Sequence, residues 1–493
     1  MDLYGIHEEK IQYVWERKQK GWNNIWFREL LIHIAMGSFI MKIIMASTEF
    51  EGLLKTGGLG DAVTGICHSL SKYNDIEVYA VIPNYRNLDS SDFEKIDEIS
   101  LDDSRFPKEQ TSANLLYKKI NNTNVYLIDN EYYFNRENIY GYEEDLLRWA
   151  FFCRFIYELI VQKDMNPDIV HTNDYHEGMV SYIFKNSNLN PLPKFVLTIH
   201  NALFQGYYEF QSDEEKSLLE YYINSPWPQD SINLLKESVL KSDEILTVSP
   251  DYAEGMKEEK WGNGLEDLYL EKGIKGFING LDTSFHDRET DNFDDYLNVK
   301  KEYKARIQEK FDLKIDENIP LITYICRLGI QKGSDIVYES LNNFIDKTQF
   351  ILLGTGVEEF EEKFSNFKHE NLHAIIDFDS ELARELYIAS DIFLMPSYFE
   401  PCGISQLIAL HYSSIPIVTN IGGLKDTVED GVNGFKMNEY SSDELTDKIL
   451  IATSIYLNDK KRWRNLMKNA FESDNHWDHR IKNYVRLYRK MVK

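Results

Sequence analysis

Two cations five residues apart carry the clearest chemical signal in this sequence. Arg327 and Lys332 lie in "ICRLGIQKG", just after a strand-like run. Arginine offers a bidentate fork and lysine a point charge, so the pair suits a diphosphate. The alternative is a solvated loop. In a chain of formal net charge −27, paired cations at a cleft edge favour an anionic ligand. A second stretch, "LLKTGGLGD" at 53–61, sets Lys55 against Gly57 and Gly58 between a strand-like run and a helix. Glycines let backbone approach a ligand, and a helix N-terminus favours negative charge. The stretch lacks G-x-G-x-x-G and G-K-[ST], so a phosphate cradle and a plain turn stay equally open.

Polar residues recur at strand ends. "VHTNDYHEG" leaves Asp174 and His176 there, and "TIHNALFQG" leaves His200. One such histidine is usually structural; two polar clusters on neighbouring units favour a site. "PSYFEPCGISQLIAL" places Glu400 just before a helix whose first turn holds Gly403. Its carboxylate can accept from sugar hydroxyls, or merely complement the helix dipole. "NIGGLKDTVEDGVNGF" is another glycine-rich turn. No H-E-x-x-H, EF-hand or G-x-S-x-G is present. A metal-free site for a phosphorylated donor is the simplest reading.

Short apolar runs must position these residues. "MKIIMAST", "IEVYAVIP", "NVYLID", "PDIVHTND", "KFVLTIHN" and "DEILTVSP" alternate with helical stretches. After "LEKGIKGFINGLD" and a charged helix, a second series follows: "PLITYICRL", "TQFILLGTG", "LHAIIDF", "DIFLMPS" and "IPIVTN". Continuous apolar strands alternating with helices predict parallel sheets in βαβ units. Two open α/β domains follow, with ligand sites beyond the strand C-termini and a cleft between them. At the end of the chain, Trp477, Ile481, Tyr484, Val485 and Tyr488 fall on one helical face, predicted to pack on the rest of the protein. The expected division is a helical N-terminal extension at 1–40 with no assigned role, a first domain at 41–274, a second at 275–470 and a returning C-terminal helix at 471–493.

Composition is globular, at 43% hydrophobic and 27% charged, and the length of 493 residues predicts several domains. Strong acidity argues against nucleic-acid and anionic-membrane partners, which need broad basic surfaces. Cys67, Cys153, Cys326 and Cys402 form no C-x-x-C pair and fit a reducing cytoplasm. The N-terminus, with Asp2, Glu8 and Glu9, lacks a secretory pattern. The apolar run Leu30–Met41 is shorter than the roughly eighteen residues a membrane span needs. Oligomeric state has no signature.

Taken together, "KTGGLGD", "YFNRENIYGYEEDLLRWAFF", "VHTNDYHEG", "TIHNALFQG", "KGFINGLD", "CRLGIQKG", "FEPCGISQL" and "GGLKDTVED" resemble, in order, the motifs of the bacterial glycogen synthase and plant starch synthase family. The resemblance covers roughly 41–490. It implies a GT-B fold: two Rossmann-like, doubly wound domains facing across a cleft, the C-terminal helix packing back on the first. It implies retaining transfer of glucose, usually from ADP-glucose, to the non-reducing 4-OH of an α-1,4-glucan such as glycogen or a starch-like primer, with no metal or other cofactor. By matching, Lys55, Gly57 and Gly58 belong to the donor loop. Asp174 and His200 lie on the glucose side, Arg327 and Lys332 bind the departing diphosphate, and Glu400 meets the sugar. Cys402 and Gly403 share that motif, Gly354 joins the substrate-binding set, and Phe378 takes the place of a ring stacked near adenine. Three positions depart from the family pattern and bear on nucleotide preference: Tyr398 for Arg, Ile421 for Thr or Ser, and Phe378 for Tyr.

Related readings are a retaining transferase using another nucleotide sugar such as UDP-glucose, and a non-catalytic glucan-binding or regulatory relative. Sucrose- or lipid-directed relatives often carry a second Glu eight residues after the first, where this chain has Ile408. A non-catalytic relative is expected to have lost Lys55, Arg327, Lys332 or Glu400, and all four are present.

Overall fold

The computed structural model describes residues 40–101 and 106–493. The helical extension expected over 1–40 lies, Ile40 apart, outside the described residues.

The first sheet grows around β1 (Met41–Ala46), whose apolar run is buried on both faces. Both its neighbours, β2 (Ile76–Pro83) and β6 (Ile169–Asn173), run parallel to it. Beyond β2 come β5 (Thr123–Asp129), β4 (Ser112–Ile120) and β3 (Glu94–Ser100); beyond β6 come β7 (Lys194–Ile199), β10 (Glu244–Thr247) and β11 (Lys275–Gly276). The strand order is β11-β10-β7-β6-β1-β2-β5-β4-β3, with β3 and β4 antiparallel at one edge. A two-stranded antiparallel ribbon of β8 (Tyr207–Glu209) and β9 (Ser231–Asn233) stands apart.

The second sheet is wholly parallel. It contains β12 (Leu321–Ile325), β13 (Gln349–Leu353), β14 (Leu372–Ile375), β15 (Ile392–Met395), β16 (Ile415–Thr419) and β17 (Phe435–Met437), in the order β14-β13-β12-β15-β16-β17. Each domain has its own apolar core. The architecture is therefore the expected pair of doubly wound α/β domains.

In each sheet, strand order reverses between two parallel strands, and the crevice beyond their C-termini is where α/β folds bind ligands. In the first sheet the reversal is at β1 and β6, which feed the loops holding Lys55 and Asp174. In the second it is at β12 and β15, which feed the loops holding Arg327, Lys332 and Glu400.

The first sheet extends one strand past the expected division at 274/275. β11 is Lys275–Gly276, where a Cβ on Gly276 would lie 2.2 Å from the Ser249 carbonyl oxygen. Close backbone approach carries the sheet across that point. The chain then crosses between domains twice, side by side: Leu281 N–H donates to Asn475 O at 2.7 Å. The last helix, Trp477–Met491, returns to the first domain as its apolar face requires. Trp477, Ile481, Tyr484, Val485 and Tyr488 all enter the first core. Tyr488 Oη lies 2.6 Å from His171 Nδ1 on β6, whose Nε2 lies 2.7 Å from Thr198 Oγ1 on β7. No helix among the described residues is long and apolar enough to cross a membrane.

Candidate active site

The first-domain half is organised by Glu49, a buried carboxylate three residues past β1 that the motif reading did not single out. Its Oε2 accepts from Thr56 N–H at 2.9 Å and Gly57 N–H at 3.2 Å. Its Oε1 accepts from Thr56 Oγ1 at 2.8 Å and Tyr140 Oη at 2.7 Å. The only signal in the sequence was an acidic residue at a strand end. Gly58 opens the helix Gly58–Leu70, and Ile404 of the second domain lies 3.5 Å from where a Cβ would stand on it. Lys55 is ion-paired within its own domain, to Glu51 and, at 2.9 Å, to Asp61. Burial opposes its charge, but the carboxylates of Asp61 and Glu51 more than offset this and raise its pKa. Glu51 and Asp61 share a narrow interdomain crevice with Asp282, His286 and Ile404.

Asp174 directly follows β6, in the left-handed region at φ 58°. Its Oδ1 accepts from the backbone N–H of His200 at 2.7 Å and of Asn201 at 3.3 Å. Burial pushes its pKa up to about 7, against the lowering effect of those two hydrogen bonds. His200 Nε2 lies 3.0 Å from Asn173 Oδ1, and burial lowers its pKa to about 3, so the ring is neutral near pH 7. Asp174 therefore fixes the His200 backbone. His176 is a core residue, stacked on Tyr140 with ring centroids 4.8 Å apart.

In the second domain, Lys332 and Glu400 come together although 68 residues separate them: Lys332 Nζ donates to Glu400 Oε2 at 2.6 Å. Gly333 makes this possible. At φ 84°, it carries the loop after β12 to where a Cβ would lie 2.3 Å from the Pro396 carbonyl oxygen, at the end of β15. Glu400 is 8% exposed and also accepts from Ser397 Oγ at 3.3 Å. Burial alone would lower the Lys332 pKa; the Glu400 carboxylate outweighs it and raises the value, so the ammonium stays charged. Arg327 is exposed and makes no ion pair or hydrogen bond among the described residues. Phe378, in the loop after β14, leaves its ring 85% exposed.

Three matched positions serve the backbone in this structure. Gly354 packs where a Cβ would stand 1.9 Å from the Cys326 carbonyl oxygen, and its N–H donates to Ile375 O at 3.0 Å. Cys402 is buried, which pushes its thiol up to about 12 and leaves it unreactive. Gly403 turns the chain toward the helix Ser405–His411. The structure thus joins Asp174 with His200 and Lys332 with Glu400. No hydrogen bond among the described residues joins the first pair to the second.

Comparison with known proteins places the chain in one family. Residues 42–271 match the starch synthase catalytic domain, and residues 305–472 match glycosyl transferases group 1. The chain is 36% identical over 481 residues to a glycogen synthase of Streptococcus mutans, covering 92% of this chain and all of that one. It is 35% identical over 486 residues to one from Clostridium botulinum, covering 92% and 99%. The solved catalytic domain of starch synthase IV from Arabidopsis thaliana, bound to ADP and acarbose, superposes with a TM-score of 0.81 at 26% identity, covering 92% of this chain and 99% of that one. Sucrose-phosphate synthase from Thermosynechococcus elongatus shares the fold alone, at 16% identity, a TM-score of 0.58, and 92% and 99% coverage. The chain belongs to the glycogen and starch synthase family of retaining glycosyltransferases.

Proposed function

We propose that this chain transfers glucose from ADP-glucose to the non-reducing 4-OH of an α-1,4-glucan, with retention and without a resident metal or other cofactor. The observation that carries the reading is Arg327, exposed and without an ion pair among the described residues, beside Lys332 at the reversal point of the second sheet, with Lys332 held on Glu400 at 2.6 Å. When the bond between glucose C1 and the diphosphate oxygen breaks, negative charge builds on the leaving ADP and positive charge on the sugar. Arg327 and Lys332 stabilise the first, and preorganised charges of this kind act without reorganising. Glu400, Asp174 and the His200 backbone face the second. The acceptor 4-oxygen bonds to C1 from the face the donor leaves, and its proton passes to the departing phosphate. Domain closure excludes water that would otherwise hydrolyse the donor. The exposed Phe378 ring supports a stacked adenine, and the starch synthase IV neighbour was bound to ADP.

The test is a comparison of initial rates with ADP-glucose and UDP-glucose on one glucan primer, with and without chelator. Faster transfer from ADP-glucose, unaffected by chelator, is expected. A preference for UDP-glucose would overturn the donor assignment, and strong inhibition by chelator would overturn the metal-free mechanism.

A further inference from the structure

Glu400 lies in the loop after β15 of the second domain, yet the residues around it are held by the first domain. Phe399 is 4% exposed and packs with Tyr252 and Trp261, with ring centroids 5.6 and 4.7 Å away. Cys402 enters the same first-domain cluster. Pro401 O accepts from Ser249 Oγ at 2.6 Å, and that hydroxyl also accepts from Tyr252 N–H at 3.2 Å, capping the helix Pro250–Gly255. Two residues on, Asp251 reaches the glycine turn after β16. Its Oδ2 accepts from Gly422 N–H at 2.9 Å, its Oδ1 pairs with Lys425, and its own N–H donates to Asp426 Oδ2 at 3.0 Å. Gly422, at φ 46°, lies where a Cβ would be 2.0 Å from the Glu400 carbonyl oxygen. Gly423 N–H donates to Pro401 O at 3.1 Å.

We infer that Asp251 and Ser249 are positioning residues: from the first domain they set the backbone of Glu400, and thereby the carboxylate that holds Lys332. Ser249 grips the carbonyl of Pro401, the residue after Glu400, directly. Asp251 fixes Gly422, whose backbone presses on the Glu400 carbonyl. The arrangement of the domains is thus read out at a residue of the reaction centre. The inference rests on the role proposed for Glu400.

The experiment compares Asp251→Ala, Asp251→Asn, Lys425→Ala and Glu400→Gln, and the double variant Asp251→Ala/Glu400→Gln, in the full-length enzyme with glycogen primer. Asp251→Ala is expected to lower kcat at least tenfold, with donor KM changed less than threefold. Asp251→Asn, which keeps an acceptor for Gly422 N–H, is expected to stay within about threefold of wild type, as is Lys425→Ala. In the Glu400→Gln background, Asp251→Ala is expected to cost less than a further twofold, because residues acting through one another are not additive. Wild-type kcat in Asp251→Ala would overturn the inference. So would an equal loss in Asp251→Asn, or a full multiplicative loss in the double variant. Near-wild-type turnover of Glu400→Gln alone would instead overturn the role given to Glu400 in the proposed reaction.

Discussion

At the residue scale, the two cations of one loop are in different states, and this separates their variants. Lys332 is neutralised in part by Glu400, whereas Arg327 has no partner among the described residues. Lys332→Ala therefore removes a cation that we propose meets the leaving diphosphate and also strands a buried carboxylate, which costs about 1–3 kcal/mol. We expect it to lower both kcat and the urea midpoint; an unchanged midpoint would show that Glu400 finds another donor. Asp174 gives a pH signature. Its pKa rises from 3.8 to about 7 on folding through burial, so the native state keeps a proton that the unfolded chain loses. Its contribution is fully present below about pH 4 and is lost as pH rises to about 7. Asp174→Asn keeps an acceptor for the two backbone N–H groups and should flatten stability over that window, as followed by urea unfolding at several pH values. An unchanged pH slope would contradict the burial of a protonated carboxyl there.

At the scale of elements, legibility followed burial. β1, β2, β6, β7 and the core strands β12, β13, β15 and β16 were readable because continuous apolar runs are what a sheet buried on both faces demands. β3 was not: in "EKIDEIS" only Ile99 is buried, so an edge strand exposed to water leaves no pattern. β17, β8 and β9 are three residues each, too short to show a period. The C-terminal helix was legible from its one apolar face, but its seat on the first helix was not. A Cβ on Gly65 would stand 2.0 Å from the Trp477 indole. Alanine normally improves a helix interior by about 1 kcal/mol over glycine. Here overpacking should reverse the sign, and Gly65→Ala should destabilise by about 1–3 kcal/mol. A more stable variant in thermal unfolding would contradict that packing.

Across the whole molecule, the matched motifs lie on loops of both domains, but none of them announces the seam that joins the domains. Asp251 and Gly422 meet across 171 residues, and no local spacing announces such a contact. Glu49 escaped for the opposite reason: it stands among strand-end residues of every kind, and only its four hydrogen bonds mark it. Buried histidines give the fold an acid limit. Burial lowers His171, His176, His200 and His411 to about 3 and His286 to about 4. Below about pH 6.5 the unfolded chain binds protons at these positions and the native state does not, so stability falls as pH falls, outweighing the opposite slopes of Asp174 and of Glu177, whose carboxyl is also pushed up by burial. Calorimetry should show the unfolding midpoint dropping between pH 7 and 5; a flat midpoint would contradict it. The central claim is that a cleft lined by Arg327 and Lys332 stabilises a departing nucleoside diphosphate. The most direct test is kcat for glucose transfer from ADP-glucose to glycogen by Arg327→Ala. A fall of about 10²–10³-fold with an unchanged unfolding midpoint is predicted, the loss of one preorganised charge-stabilising group; turnover close to wild type would contradict the account.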